Sequence, residues 1–122
     1  MKTLVTFAAL LVAVGAATPT AAQEMNAQEF YERGKKLESK GPLALFDGDL
    51  KRLEREGNAA AERAIARNDR ASKKQFCIPA NADRMDPREF LRAMEDFTAA
   101  QRRGWTSTEL TVRIFARKYP CR

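Results

Sequence analysis

The chain has 122 residues, of which 22 are Lys or Arg and 16 are Asp or Glu, so its formal net charge is +6. This length leaves room for one domain. Histidine is absent, which excludes catalytic pairs built on His and most metal sites made with imidazole. No Gly-rich phosphate loop occurs. The sequence therefore predicts a protein that is not an enzyme and that has no cofactor and no metal site.

The N-terminal residues have the order of a secretory signal peptide: the positive charge of Lys2, an apolar run, and small residues up to Ala22. We predict cleavage after Ala22, so that residues 1–22 are the signal peptide. Residues 23–122 would then form a single domain that is periplasmic or secreted. The alternative is an uncleaved anchor, but an apolar run of about a dozen residues is too short to span roughly 30 Å of hydrocarbon. We therefore expect no stable membrane insertion.

Two cysteines lie in the mature part of the chain, Cys77 and Cys121. In an oxidising compartment such a pair is expected to form a disulfide. Closing a loop of about 45 residues should stabilise the fold by about 4 kcal/mol in the chain-entropy treatment. The alternative is two free thiols. It fits less well, because Cys121 lies one residue from the end of the chain, where little else would hold the terminus.

Apolar residues recur at helical spacing through the mature chain, and strand-like alternation is nearly absent. Asn26 is predicted to cap a first helix, which ends at Gly41. A second helical stretch is predicted from about Leu43 to Arg70, and an interruption near Asp49, which would cap a restart, is left open. Small residues on the apolar stripe of this second stretch predict a tight crossing with the first helix: Gly57, Ala60, Ala61 and Ala64.

Two further helices are predicted in the C-terminal half. Asp86 caps the first of them, with Pro87 in its opening turn, and its apolar arc reaches Phe97. Thr106 caps the last helix, which Pro120 stops. The predicted fold class is therefore all-α: a small four-helix domain closed by one disulfide, after a cleaved signal peptide.

The last helix has apolar residues on two sides. At about 100° per residue, Val112, Phe115 and Tyr119 share one side. Leu110 and Ile114 lie on nearly the opposite side, which is either a further core face or a contact surface for a partner. Arginines beside apolar side chains suit the centre of an interface. The candidate partner-binding residues are those of this second side and of the preceding turn: Leu110, Arg113, Ile114, Arg117, Arg102 and Arg103.

The basic charge also restricts the class of partner. Cleavage would remove Lys2 and lower the net charge from +6 to +5. Such a charge raises the question of nucleic acid, but export argues against that partner. The partner classes that remain are acidic proteins, anionic lipid and cell-wall polymer. The plain alternative is a basic surface that only keeps the protein soluble.

Three segments of the C-terminal half carry a resemblance to a known family. They are Phe76-Cys77-Ile78-Pro79, the capped helix Asp86-Pro87-Arg88-Glu89-Phe90-Leu91, and the closing Lys118-Tyr119-Pro120-Cys121. Together they resemble the Rap/Tai family, the resistance-associated and type VI secretion amidase immunity proteins. The resemblance covers about Phe76 to Cys121. It implies an α-helical periplasmic protein, often a homodimer, that plugs the cleft of a peptidoglycan amidase effector and performs no chemistry.

The N-terminal half departs from that family pattern. Many family members carry a second cysteine pair in their first two helices, and this chain has no cysteine there. The segment from Gly41 to Phe46 is similar to that of stand-alone members with no assigned effector. Two functions are therefore expected. One is a periplasmic immunity-type protein that binds and inhibits a type VI secretion cell-wall amidase effector. The other is a stand-alone structural or interaction protein of the cell envelope without an immunity role.

Overall fold

The computed structural model describes residues 24–122. The predicted signal peptide, residues 1–22, lies outside the described residues. Within them the chain forms six helices and no strand: α1 (Ala27–Ser39), a 3-10 helix (Gly41–Phe46), α2 (Gly48–Arg70), α3 (Pro87–Met94), α4 (Ala99–Arg103) and α5 (Ser107–Lys118). The all-α class is confirmed, and the predicted count of four helices is corrected to six. None of the described helices is long and apolar enough to cross a membrane.

The helix starts follow from side-chain caps. Asn26 accepts a hydrogen bond from the backbone N–H of Gln28 at the start of α1, and Asp86 does the same for α3. Thr106 and Glu109 form a reciprocal capping box at α5. These three predicted starts are confirmed. The restart of the second helix is capped by Asp47 and not, as expected, by Asp49, because the Asp47 carboxylate accepts the N–H of Asp49 at 2.9 Å.

The two extra helices have local causes. Gly41 has a φ of +55°, a conformation that glycine adopts without steric cost, and the chain leaves α1 there to form the 3-10 helix. The predicted second helix is thereby divided in two. Further along, α3 stops at Met94 instead of reaching Phe97. Helix α4, which was not predicted, then starts from a reciprocal capping box between Thr98 and Gln101.

The core lies between α2, α5 and the helices that cover them. Helix α2 packs more extensively on α5 than on α1, so its main neighbour differs from the one predicted. The expected close approach to α1 does occur at Gly57, where a Cβ atom would lie 3.6 Å from the ring of Phe30. Polar side chains join α2 to α5 as well: Arg63 donates to Thr108 Oγ1 at 2.8 Å, and Glu56 accepts from Ser107 Oγ at 2.7 Å.

The long segment between α2 and α3 is held to the rest of the chain by a disulfide and by the hydrogen bonds of one side chain. The sulfur atoms of Cys77 and Cys121 lie at disulfide distance, 2.02 Å apart, as the sequence predicts. Before Cys77, the buried side chain of Asn68 at the end of α2 donates to Phe76 O and accepts from the N–H of Gln75, both at 2.8 Å. Phe76 is thereby buried against Phe115 of α5. The segment, which has neither helix nor strand, is therefore anchored in the core by Phe76, while most of its other residues are exposed.

Candidate functional site

Two of the predicted partner-binding residues belong to the core. Leu110 is 0% exposed and Ile114 is 2% exposed. Helix α5 is covered on both of its apolar sides, because α2 packs on it and α3 also contacts it. The contact-surface alternative for Leu110 and Ile114 is therefore corrected to the core alternative.

Arg102 is also a structural residue. Its side chain is buried, and Nη1 donates to the carbonyl oxygens of Met94, at 2.8 Å, and of Phe97. Nε donates to Gln28 Oε1 at 2.7 Å, and the guanidinium carbon lies 3.9 Å from the ring centre of Tyr31. The carbonyls at the end of a helix lack partners within the helix. Arg102 supplies one at the end of α3 and is not available to a partner protein.

The other three arginines remain on the surface, and two of them lie over aromatic rings. The guanidinium of Arg113 is 4.1 Å from the ring centre of Trp105, and that of Arg117 is 4.5 Å from the ring centre of Phe97. The two rings meet edge to face, with their centres 5.2 Å apart. We call these four residues the arginine–aromatic face. Arg103 is exposed at the end of α4.

The positive charges of the arginine–aromatic face are weakly neutralised by other residues of the described chain. Arg117 pairs with Asp96 at 3.7 Å, with both side chains more than half exposed, and such surface pairs contribute little. Arg113 has no carboxylate within ion-pair distance among residues 24–122. Residues 113 and 117 are four apart on α5, where Cβ atoms lie about 5–6 Å apart and two like charges repel each other. An anionic group placed between them would therefore be attracted by both.

A neighbouring ion pair also joins α5 to α3. Lys118 Nζ donates to Glu89 Oε1, and this hydrogen bond raises the pKa of Lys118 above its ordinary value of 10.5. Between this pair and Arg117 lies a shallow hollow of about 200 Å³, whose floor includes Ala93, Phe97 and Ile114. No group of three or more His, Cys, Asp or Glu residues in the described chain is placed to hold a metal ion.

A second surface was not identified as a site from the sequence. The three most exposed large apolar side chains of the described residues lie together on the 3-10 helix: Leu43 at 68%, Leu45 at 76% and Phe46 at 88%. We call these three residues the apolar corner. The signal was present as Gly41-Pro42-Leu43-Ala44-Leu45-Phe46, a run without a polar side chain. Most of this run falls in the second helical stretch predicted from about Leu43 to Arg70.

No protein-family model matches the chain, and comparisons with curated proteins and with solved structures found no match either. The resemblance to the Rap/Tai family therefore stays a prediction from the sequence.

Proposed function

We propose that the protein is a periplasmic immunity-type protein that binds and inhibits a type VI secretion cell-wall amidase effector. The single observation that carries the binding role is the arginine–aromatic face. Arg, Trp and other aromatic residues are enriched at the centres of protein interfaces, where they contribute most of the binding energy. Here the exposed Arg113 lies stacked on the half-buried ring of Trp105.

Stacking prepares these side chains for binding. A free arginine loses roughly 0.5–1.5 kcal/mol of conformational freedom when a partner immobilises it. The rings beneath Arg113 and Arg117 restrict both guanidiniums before a partner arrives, so less of that cost remains to be met. A flat guanidinium still presents its N–H edge, which pairs with carboxylates in a bidentate manner. The fitting partner is therefore a protein surface with acidic residues around an apolar contact.

The identity of the partner rests on the sequence resemblance. All four residues of the arginine–aromatic face, from Phe97 to Arg117, fall inside the stretch from Phe76 to Cys121 that resembles the Rap/Tai family. That family implies a peptidoglycan amidase as partner and inhibition by blocking of the amidase cleft. Blocking the amidase cleft requires only a preorganised surface on this chain. The packed helices and the disulfide are consistent with such a surface.

The test is co-expression in the periplasm with an amidase encoded by a gene beside this one. We expect the wild-type protein to prevent lysis and to co-purify with the amidase. Arg113→Glu should lose both effects, because it reverses the charge of a residue with no carboxylate partner within the described chain. Arg67→Glu is the matched control, since it makes the same charge change at an exposed position of α2. Lysis that proceeds unchanged while the folded wild-type protein is present would overturn the proposal.

A second candidate function is a stand-alone interaction protein of the cell envelope without an immunity role. The observation that favours it is the N-terminal half: α1 and α2 contain no cysteine, and the segment of the apolar corner is similar to that of stand-alone family members. This candidate predicts no amidase gene nearby. It also predicts that an envelope protein other than an amidase is captured by the wild type and not by Arg113→Glu.

A further inference from the structure

The apolar corner projects from the surface on a short helix whose two ends are tied together. Leu43, Leu45 and Phe46 are the three most exposed large apolar side chains of the described residues. Single apolar residues on a surface are ordinary, whereas a cluster of them marks a contact site. The ion pair between Lys40 and Asp47 joins the residues at the two ends of the 3-10 helix. The corner is therefore a projecting apolar tip on a fixed turn.

The backbone of this tip is largely satisfied by its own hydrogen bonds. The N–H of Leu43 donates to Lys40 O at 3.2 Å, and that of Asp47 donates to Ala44 O at 3.0 Å. Pro42 has no N–H to satisfy. An apolar phase penalises backbone groups that lack a partner, and groups that are already paired avoid most of that cost. The tip can therefore enter an apolar phase without a second chain to complete its hydrogen bonds.

Unpaired basic side chains predominate around the corner. Three of the acidic residues that flank it are each paired with a basic residue: Glu38 with Lys35, Asp47 with Lys40, and Asp49 with Arg33. Four exposed cations on the adjoining helix ends have no ion-pair partner within residues 24–122: Lys36, Lys51, Arg52 and Arg55. One exposed carboxylate, Glu54, is also without such a partner. Four unpaired positive charges against one negative charge favour an anionic surface.

Two of these cations lie beside the tip. Lys51 lines a hollow of about 470 Å³ whose wall includes Phe46. The hydrogen bond from Lys40 holds the pKa of Asp47 below its ordinary value, and the charge of Lys36 lowers it further, so Lys36 lies close to the end of the 3-10 helix. A lysine side chain can lay its alkyl stem along apolar material while its ammonium stays in water. Both residues can therefore contact lipid headgroups when the tip lies below them.

We propose that the apolar corner docks the protein on the surface of an anionic phospholipid bilayer. Leu43, Leu45 and Phe46 enter the boundary between headgroups and acyl chains, and Lys36 and Lys51 contact the phosphates. A bilayer suits a projecting tip because fluid lipid adapts to its shape, whereas a protein partner would need a matching groove. Interfacial binding grows with the apolar area buried and with the attraction to anionic lipid. Three side chains and a few cations therefore give shallow, reversible docking and no membrane-spanning segment.

Docking through this tip leaves the arginine–aromatic face accessible. The corner follows the C-terminal end of α1, and the N–H of Ala27 at the N-terminal end of α1 donates to Trp105 O. Thirteen residues of helix separate the two ends by about 20 Å. Docking on lipid therefore goes beyond the proposed function and does not depend on it.

Co-sedimentation of the purified, disulfide-bonded protein with phospholipid vesicles tests the docking. We expect saturable binding to vesicles that contain phosphatidylglycerol, weaker binding at high salt, and much weaker binding to phosphatidylcholine alone. Phe46→Ser should lower the partition coefficient at least about tenfold, as for loss of a buried aromatic ring. Because Phe46 is exposed, this variant should keep the melting temperature of the wild type. Ile65→Ser is the matched control, since it removes an exposed apolar side chain from α2 outside the corner, and it should bind as the wild type does.

Charge reversals separate the corner from the basic charge of the whole protein. Lys51→Glu should weaken binding to the anionic vesicles more than Arg67→Glu, which makes the same charge change at an exposed position about 24 Å further along α2. Arg113→Glu should bind vesicles as Arg67→Glu does, so a failure of lipid docking is distinguishable from a failure of the amidase contact.

Three results would overturn the proposal. The first is a folded wild-type protein that does not bind phosphatidylglycerol vesicles at low salt. The second is binding that Phe46→Ser leaves unchanged, which would place the contact elsewhere; all variants share the same N-terminus, so binding through the apolar run before Ala22 would give this result. The third is a lipid-free dimer that Phe46→Ser dissociates in sedimentation equilibrium, because the corner would then be covered by a second copy of the chain.

Discussion

Arg102 and Arg103 are neighbours in sequence, and the structure gives them opposite roles. Arg102 is 6% exposed and joins the end of α3 to α1 through three hydrogen bonds and a stacking contact on Tyr31. Arg103 is exposed, and its side chain forms none of the hydrogen bonds or ion pairs found in residues 24–122. We predict that Arg102→Ala destabilises the fold strongly and that Arg103→Ala does not.

The magnitude follows from the groups that Arg102 leaves behind. The carbonyls of Met94 and Phe97 and the amide oxygen of Gln28 would lose their donor, and an unsatisfied buried acceptor costs about 1–3 kcal/mol. Loss of the cation–π contact adds about 0.5–2 kcal/mol. The substitution also removes a charged group that is buried without a carboxylate partner, which is favourable. This gain offsets part of the destabilisation. We therefore expect a net loss of about 3 kcal/mol, which lowers the melting temperature by about 12–24 °C in a domain of this size.

Thermal unfolding followed by circular dichroism measures both variants. Arg103→Ala, at an exposed position, should change the stability by no more than about 0.5 kcal/mol. Arg102→Lys should lie between Arg102→Ala and the wild type, because an ammonium keeps the charge but lacks the planar fork of donors. Equal melting temperatures for Arg102→Ala and Arg103→Ala would refute the structural role of Arg102.

Four further outcomes are expected. Mass spectrometry of the non-reduced protein should find no alkylatable thiol, and reduction should destabilise the fold by about 4 kcal/mol. Asn68→Ala should cost about 2–4 kcal/mol in urea unfolding, because it leaves the N–H groups of Gln75 and Phe76 and the carbonyl of the buried Phe76 without their side-chain partner. Leu110→Asp and Ile114→Asp should each abolish cooperative unfolding, since a buried, unpaired carboxylate exceeds what a marginal domain tolerates; a folded variant of either would restore the contact-surface alternative. The hydrogen bond to Glu89 raises the pKa of Lys118, so its stabilisation is present below about pH 10.5 and is lost as the pH rises through the folded pKa. The small difference in melting temperature between the wild type and Lys118→Gln should therefore disappear at strongly alkaline pH.

The sequence predicted the features that depend on local chemistry. Caps such as Asn26, Asp86 and Thr106 act within three residues of their own position, so a side-chain type and a spacing are enough to find them. The disulfide could be predicted from the number of cysteines and from the oxidising compartment expected for an exported protein. The capping box of Thr98 and Gln101 was visible in the same way, and α4 was missed because the stretch from about Thr98 to Trp105 was interpreted as a connection between two helices.

The features that depend on tertiary packing were not accessible in this way. Nothing in the type or spacing of Arg102 distinguishes it from Arg103, because its burial is set by the position of α3 and α1 around it. The helical angle placed Leu110 and Ile114 on one side of α5 correctly, but only the arrangement of the other helices decides whether that side is covered. The apolar corner was missed for the opposite reason: an apolar run normally indicates burial, and here the chain turns it outward.

Isothermal titration calorimetry with a cell-wall amidase, if a neighbouring gene encodes one, tests the proposed binding role most directly. We predict saturable binding by the wild type, the same affinity for Arg67→Glu, and an affinity at least about tenfold weaker for Arg113→Glu, as expected when a central interface arginine is lost. Binding of equal strength by Arg113→Glu would contradict the role of the arginine–aromatic face. The absence of any binding by the folded wild-type protein would contradict the immunity role itself.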